Sequence, residues 1–562
     1  SKHNHYNTLH FITLHYHTVI MLSKQHTLSK VLPVNESKRL YSPKTYPKTK
    51  AQIRLISTWR GGKERRALGA LFATHIPVVP NNSYRNFFAA IDKRVNYYDP
   101  NIFSADMVKR FRAATLSIPT DRKASVIRWT PDLFEQWVSK FDVRKQSRLK
   151  KALRDYATSF SKLKDYTDKE VFVKVEALLV GHKSDWAPRI IFKSSDLYNA
   201  VAGPIAAAAM DRMILGLKHD KSPHKYKVAY KDQPHSFLQF LDTHPAGSTI
   251  PSYLESDFSS NDKTQVKSVV LCFAHLLRHL RVDESFVRLE TAAMLEFSIR
   301  SREHGFKSKI FNELATGTVF TTMRNTWLNY AIHRSFIVQF KTISSSRTLL
   351  LGDDMLCSFV GNARYLAKQY EKHAKRCFMI AKVVRNKFVT DSSFLSKSLF
   401  RDYSGQVWCA PLLGKSLARF NIRANPSDVP DDVYYYMKAL SYAYEFRYVE
   451  RMREIFYERA LMHAVAAQAW LARIGRDHQI VLSVEHDVLP WFYRQDGSRL
   501  VTLSKTVKDS PVVDDDVYDI FIQYRYGVYI FEVEELARDI ILDLSRADVD
   551  SPLVRVLCKD FA

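Results

Sequence analysis

The sequence predicts an α+β fold divided into several lobes, on three observations. With 562 residues, of which 46% are hydrophobic and 13% aromatic, the chain can bury a large core and should split into more than one unit. Stretches of strand-like and of helical apolar spacing follow one another through most of its length, a mixture that fits neither an all-α nor an all-β protein. Beyond about residue 420 the chain turns mainly helical, with a strong stretch from Val433 to Ile474 rich in Tyr, Ala, Met and Arg.

Residues 1–70 read as a basic arm rich in His, Ser, Thr, Tyr and Pro, with Glu36 and Glu64 its only acids; such a segment is either a contact for a polyanion or a solvated tail. Between 71 and 250 helical and strand-like stretches alternate, the clearest being a helix from Gly203 through Ile205, Met210, Met213, Ile214 and Leu217. Ile250 to Phe258 reads as a strand, followed by a helix whose apolar face runs from Val266 to Leu280. A helix is expected from Thr321 to Gln339, entered through Thr316 and Gly317. The apolar runs 348–351 and 355–360 flank Gly352-Asp353-Asp354, a hairpin with an acidic turn. A helix after Ala363 and short strands near 378–384 and 394–400 follow, and a Tyr-rich segment around Tyr524 to Phe531 reads as strand after an acidic turn at Asp514 to Asp519.

Lysine and arginine number 84 against 58 acids, a net charge of +26 with a pI near 9.6. That favours a polyanionic partner, nucleic acid first, or an anionic membrane surface, although charge alone also serves solubility. Five scattered cysteines without a Cys-x-x-Cys pair argue against a zinc ribbon or a disulfide scaffold and suit buried apolar roles. No run approaches the roughly 18 uninterrupted apolar residues of a membrane span; Phe11 to Leu22 is short, is broken by His15 and His17, and lacks signal-peptide features. The chain begins at Ser1, which fits a fragment or the downstream part of a larger product.

The acids carry the chemistry. Asp257 at a strand end and Asp353 at a hairpin tip would meet if that strand lies antiparallel beside the hairpin, and carboxylates converging from rigid elements suit Mg²⁺ and phosphoryl transfer. Alone, the Gly-Asp-Asp triplet is equally an ordinary type I′ turn, and Asp262 is equally a cap on the following helix.

Five segments in fixed order sharpen the reading. They are Lys174-Val-Glu176 with Ala187-Pro188-Arg189-Ile190-Ile191, Lys193 and Tyr198-Asn199; Asp257-Phe-Ser-Ser-Asn-Asp262; Thr316-Gly317-Thr318-Val-Phe-Thr321-Thr322-Met-Arg-Asn325; Leu351-Gly352-Asp353-Asp354; and Phe394-Leu-Ser396-Lys397. Over roughly residues 170 to 420 this pattern resembles the RNA-dependent RNA polymerases of positive-strand RNA viruses, with a tombus-like and noda-like flavour.

The resemblance implies a right-hand fold with fingers over 71–250, to which 265–315 returns, an antiparallel-sheet palm over 251–420, and a helical thumb over 421–562. It implies Asp257, Asp353 and Asp354 as ligands of Mg²⁺ or Mn²⁺, with Asp353 the principal one. Asp262 takes the place that senses the ribose 2′-hydroxyl. Arg189, Lys174, Lys193 and also Lys183 would line a cationic channel for the triphosphate, the first by a bidentate grip. Gly317 belongs to a flexible loop in which Thr316 replaces the usual serine, and Thr321 and Asn325 help recognise the nucleotide. Ser396 and Lys397 would touch primer phosphates, with a plain amphipathic strand as the alternative. Lys382, with Lys387 as a rival, would give a proton to pyrophosphate. Arg447, Arg451 and Arg453 either line the product duplex or sit exposed on a helix bundle. Implied partners are RNA template and product, nucleoside triphosphates and a membrane-associated replication complex in the host cytoplasm. A reverse transcriptase, a two-metal nuclease and a non-catalytic basic RNA-binding protein are the competing readings.

Overall fold

The computed structural model describes residues 67–95, 103–121, 123–141, 143–158, 166–180, 186–259, 261–362, 364–424, 430–474, 507 and 509–561. The arm expected over 1–70 therefore lies outside the described residues except for its last four. Those four belong to the body of the protein: Ala67 bridges Ile422 and the Leu68 N–H bonds to Asn421 O at 2.8 Å.

Among the described residues four helices come first, α1 (Tyr84–Arg94), α2 (Ala105–Leu116), α3 (Pro131–Val138) and α4 (Val143–Thr158). The first three start at hydroxyl caps, Ser83, Ser104 and Thr130, whose side chains each accept an otherwise orphaned N–H of the first turn. Then follow β1 (Lys169–Val173), β2 (Ile190–Ser194), α5 (Asp196–Lys218), β3 (His224–Val228), β4 (Ser252–Ser259), α6 (Lys267–His279), α7 (Glu284–Leu295), β5 (Glu296–Ser301) and β6 (Phe306–Phe311). After them come α8 (Thr321–Ile337), β7 (Ile343–Leu351), β8 (Asp354–Gly361), α9 (Leu366–Arg376), β9 (Ile380–Asn386), β10 (Ser393–Phe394), β11 (Lys397–Arg401) and β12 (Val407–Pro411). The chain closes with α10 (Leu413–Phe420), α11 (Asp431–Glu445), α12 (Glu450–Ile474), α13 (Asp515–Tyr526), α14 (Ile530–Ile541) and α15 (Pro552–Leu557). The fold is mixed α/β, as expected.

A five-stranded sheet in the order β3-β7-β8-β4-β9 lies at the centre. All its pairs are antiparallel except β3 with β7, which corrects the expectation of a purely antiparallel sheet. The physical reason is that more than a hundred residues separate these two strands, enough for a crossover that a parallel pair requires. Both faces of this sheet are covered, and alternate residues serve different cores. Leu349 and Leu356, a cross-strand pair, enter the core shared with the C-terminal helices, whereas the next pair, Leu350 and Met355, enters the core built with α2, α5, α6 and α8. The period of two along a strand thus ties the lobes together.

A second sheet, β2-β1-β5-β6, joins residues 169–194 to residues 296–311 through the parallel β1–β5 pair. Phe87, Phe88 and Ile91 of α1 fill its core. The segment after β4 therefore leaves the central sheet, adds two strands to another, and comes back as α8. A third, small sheet of β10, β11 and β12 packs among the C-terminal helices.

The apolar helix foreseen from Gly203 onward is α5. Its length and composition would suffice to cross a membrane, yet 67% of its most apolar window is buried within the protein. Gly203 leaves no room for a Cβ, because the Trp137 ring of α3 occupies that space. All five cysteines are buried and free.

Two expectations fail at the C-terminal end. Tyr524 to Phe531 is not a strand: it is the end of α13, a left-handed turn at Gly527 with φ 72°, and the start of α14. Val517, Tyr518, Phe521 and Ile522 repeat at helical spacing and are buried, while the aromatic residues that suggested a strand, Tyr524, Tyr529 and Phe531, are exposed. Nor are the three arginines displayed for a duplex. Arg447 is buried, stacked on Tyr444 and Tyr448 and donating to Gln233; Arg451 pairs with Asp515 and Glu534; Arg453 pairs with Glu450 and Glu454. Arg451 ties α12 to α13 and α14, whereas the partners of Arg453 lie within α12 itself.

Candidate active site

The site is assembled by strand register. β4 pairs with β8 up to Ser256 opposite Met355, so one further step sets Asp257 level with Asp354. On its other side Asp257 lies directly opposite Lys382 of β9, and partners in such a pair point to the same face. The condition set by the sequence, a strand antiparallel beside the hairpin, is met.

The hairpin tip is a two-residue turn, with Leu351 paired to Asp354. Gly352 has φ 62° while Asp353 is not among the residues of positive φ, the pattern of a II′ turn and not of the I′ turn considered from sequence. Helix α8 clamps this turn from behind. Thr326 Oγ1 accepts the Gly352 N–H at 2.9 Å, and Asn329 Nδ2 donates to the carbonyls of Asp353 at 3.0 Å and Asp354 at 3.3 Å. The backbone is thus held independently of the two acidic side chains.

The acids feel one another. Burial raises the Asp353 pKa, and the charges of Asp262 and Asp257 raise it further against Arg189 and a backbone hydrogen bond. Burial likewise pushes Asp354 up to about 6, with Asp353, Asp257 and Glu255 adding to it and Lys415 opposing. Such mutual repulsion is relieved by a divalent cation, so the donor set fits Mg²⁺ or Mn²⁺. Among the described residues no group of three or more His, Cys, Asp and Glu side chains is placed to hold a metal ion by itself.

Asp262 sits in a single turn, Asn261–Thr264, and is not the cap of α6, whose first flank is Val266 without a side-chain cap. Instead it accepts from Asn325 Nδ2 at 3.1 Å and from the Thr316 hydroxyl. Asn325 Oδ1 in turn accepts from Gln265 at 2.8 Å. Gly317, at φ 102°, lies so close to β2 that a Cβ would stand 3.1 Å from Phe192 O. Its N–H bonds to Thr321 Oγ1 at 3.2 Å, and that hydroxyl also reaches Ala315 O and Thr318. Thr321 therefore shapes the loop from within.

Arg189 binds Glu176 through two nitrogens, and Lys174 reaches the same carboxylate at 2.9 Å. Burial opposes it, but the bonds from Arg189 and Lys174 keep Glu176 below the usual carboxylate range. The Glu176 bond, with help from the charge of Asp353, raises Arg189. Lys193 is exposed four residues along β2, on the face shared with Arg189. Lys183 lies outside the described residues.

The two lysines proposed as proton donors separate. Lys382 faces Asp257, whereas Lys387 lies 5.2 Å over the Phe388 ring beyond the end of β9. In the Phe394-Leu-Ser396-Lys397 segment, Ser396 is exposed at a tight turn where it and Leu395 have φ 59° and 53°. Lys397, by contrast, is paired with Glu445 of α11 and largely enclosed. Its charge is already taken up inside the protein.

Thr326, Asn329, Gln265 and Glu176 were not singled out from sequence as site residues. A signal existed for two of them: Thr326 and Asn329 follow Thr322 and Asn325 by one helical turn each on an otherwise buried helix, and polar groups repeated at that spacing point to one face.

A pH dependence follows. Metal ligands must be deprotonated, and the folded-state pKa of Asp354 is raised to about 6. The apparent Mg²⁺ affinity, read by isothermal titration, should therefore fall as the pH drops through about 6 and level off above it. An affinity unchanged down to pH 5 would show that Asp354 is not coupled to the metal.

A family model described as RNA dependent RNA polymerase matches residues 57–466 of the chain. No curated protein sequence matches it.

Proposed function

The chain belongs to the RNA-dependent RNA polymerases of positive-strand RNA viruses, and from that membership we propose how its residues divide the work of adding nucleotides to RNA for viral genome replication and transcription. We read the central sheet, supplied by 251–420 except for β3, as the palm, the sheet of β1, β2, β5 and β6 as part of the fingers, and the helices after 420 as the thumb. The register that sets Asp257 at the Gly-Asp-Asp turn is the observation that carries the reading.

Asp257 and Asp353 are the proposed metal ligands, assisted by Asp354. When bound, divalent ions would supply the positive charge that activates a 3′-hydroxyl and stabilises the departing pyrophosphate. Arg189, oriented by Glu176, grips the triphosphate; its planar fork suits phosphate oxygens and is pre-aligned by the carboxylate it already holds. Asp262 accepts a hydrogen bond from the ribose 2′-hydroxyl, and Asn325 and Thr316 fix the carboxylate in place. Lys382, at the level of Asp257, is the proposed proton donor to pyrophosphate.

The Asp262, Asn325 and Thr316 array favours ribonucleotides and so a polymerase of RNA over a reverse transcriptase. The test is extension of a labelled RNA on an RNA template with Mg²⁺ or Mn²⁺, supplying NTPs and dNTPs separately. Lengthening with NTPs supports the proposal. Preference for dNTPs, shortening of the label, or no template dependence would each refute it.

A further inference from the structure

We infer that Arg94, the last residue of α1, is a second arginine of the nucleotide site, binding the triphosphate of the incoming nucleotide together with Arg189. The inference rests on the proposed roles of Asp262 and Arg189 and adds a residue far from both in sequence, outside the five ordered segments.

Three observations place it there. The end of α1 is fastened to the turn that carries Asp262, since Lys263 Nζ donates to the Lys93 carbonyl at 3.0 Å. Arg94 Nε is shielded from solvent and has no hydrogen-bond partner, an orphan that calls for an explanation. The acids within its field are engaged already: Glu176 receives Arg189 and Lys174, and Asp262 receives Asn325 and the Thr316 hydroxyl.

The electrostatics agree. Burial lowers the Arg94 pKa, repulsion from Arg189 lowers it further, and Glu176 and Asp262 act the other way. Two guanidinium groups close enough to repel each other, one of them with its Nε unsatisfied, make a poor resting arrangement. A polyanion bridging them removes the repulsion and supplies the missing acceptor. Phosphate oxygens could come from the triphosphate or from the template backbone. Proximity to Asp262, the proposed contact for the sugar of the incoming nucleotide, favours the triphosphate. The alternative without any ligand is that Arg94 only complements the negative end of α1, as a cation in a last turn does.

The experiment compares the full chain with Arg94→Gln and Arg94→Lys in single-nucleotide incorporation at saturating RNA, with the RNA affinity measured separately. We expect Arg94→Gln to raise the KM for NTP by about 10- to 100-fold, the value of one charged hydrogen-bond pair, with RNA affinity unchanged. Arg94→Lys should fall between, because a lysine keeps the charge but not the fork. Equal KM values for Arg94→Lys and the unmodified chain, with no melting shift, would reduce Arg94 to a helix-end charge. Weakened RNA binding with an unchanged KM would make it a template contact. Either result overturns the inference, while absence of incorporation by the unmodified chain would instead overturn the proposed function.

Discussion

Asp353→Asn should reduce nucleotide incorporation by roughly 10³-fold or more while leaving the protein folded. The magnitude comes from the several kcal/mol of charge stabilisation that a metal-ligand carboxylate secures, at about 1.4 kcal/mol per tenfold in rate. The fold should survive because the turn is held through its backbone, by Thr326 on the Gly352 N–H and by Asn329 on the carbonyls of Asp353 and Asp354. Asparagine is nearly isosteric and disturbs neither. Removing this charge also removes one of the causes that raise Asp354, so the metal-free protein should melt at the same temperature or slightly higher. Incorporation rates and a melting curve on the same preparation check both halves. Retained activity would remove Asp353 from the site, and a lowered melting temperature would mean that its side chain supports the turn after all.

The second large effect concerns the sugar. Asp262→Ala should cut the preference for NTP over dNTP, expressed as a ratio of kcat/KM, by about 10- to 100-fold, since one hydrogen bond to a charged acceptor carries that much discrimination. Most of the loss should fall on NTP, because dNTP has no 2′-hydroxyl to lose a partner. Asn325 and Thr316 would also be left without the carboxylate that both now reach, so Asp262→Asn, which keeps an acceptor oxygen, should retain part of the preference. A ratio unchanged in both variants would show that the sugar is read elsewhere.

Much of the centre was legible because it is encoded locally. A strand ending at Asp257 and a hairpin turning at Gly352 each follow from period-two apolar spacing and turn chemistry, while their meeting across nearly a hundred residues was expected only on the condition that the strand lies antiparallel beside the hairpin. The loop at Thr316 and Gly317 opening into α8 was equally readable. What escaped depends on contacts between distant segments. That Lys397 would be spent on Glu445, or Arg447 on Gln233, cannot be seen from spacing, since an arginine or lysine looks the same whether it faces solvent, nucleic acid or a buried acid. The parallel β3–β7 pair is likewise a property of topology. Around Tyr524 aromatic strand propensity competes with the helical recurrence of Val517, Tyr518, Phe521 and Ile522, and tertiary packing decides in favour of the helical period.

The metal site proposed at Asp257 and Asp353, which the β4–β8 register brings together, can be seen directly. Its most direct test is anomalous diffraction from crystals of the full chain grown with Mn²⁺ and an NTP. Anomalous density should appear in contact with the carboxylates of both Asp257 and Asp353 and be lost from crystals of Asp353→Asn. Ordered carboxylates with no Mn²⁺ between them, or Mn²⁺ bound only elsewhere on the protein, would contradict it.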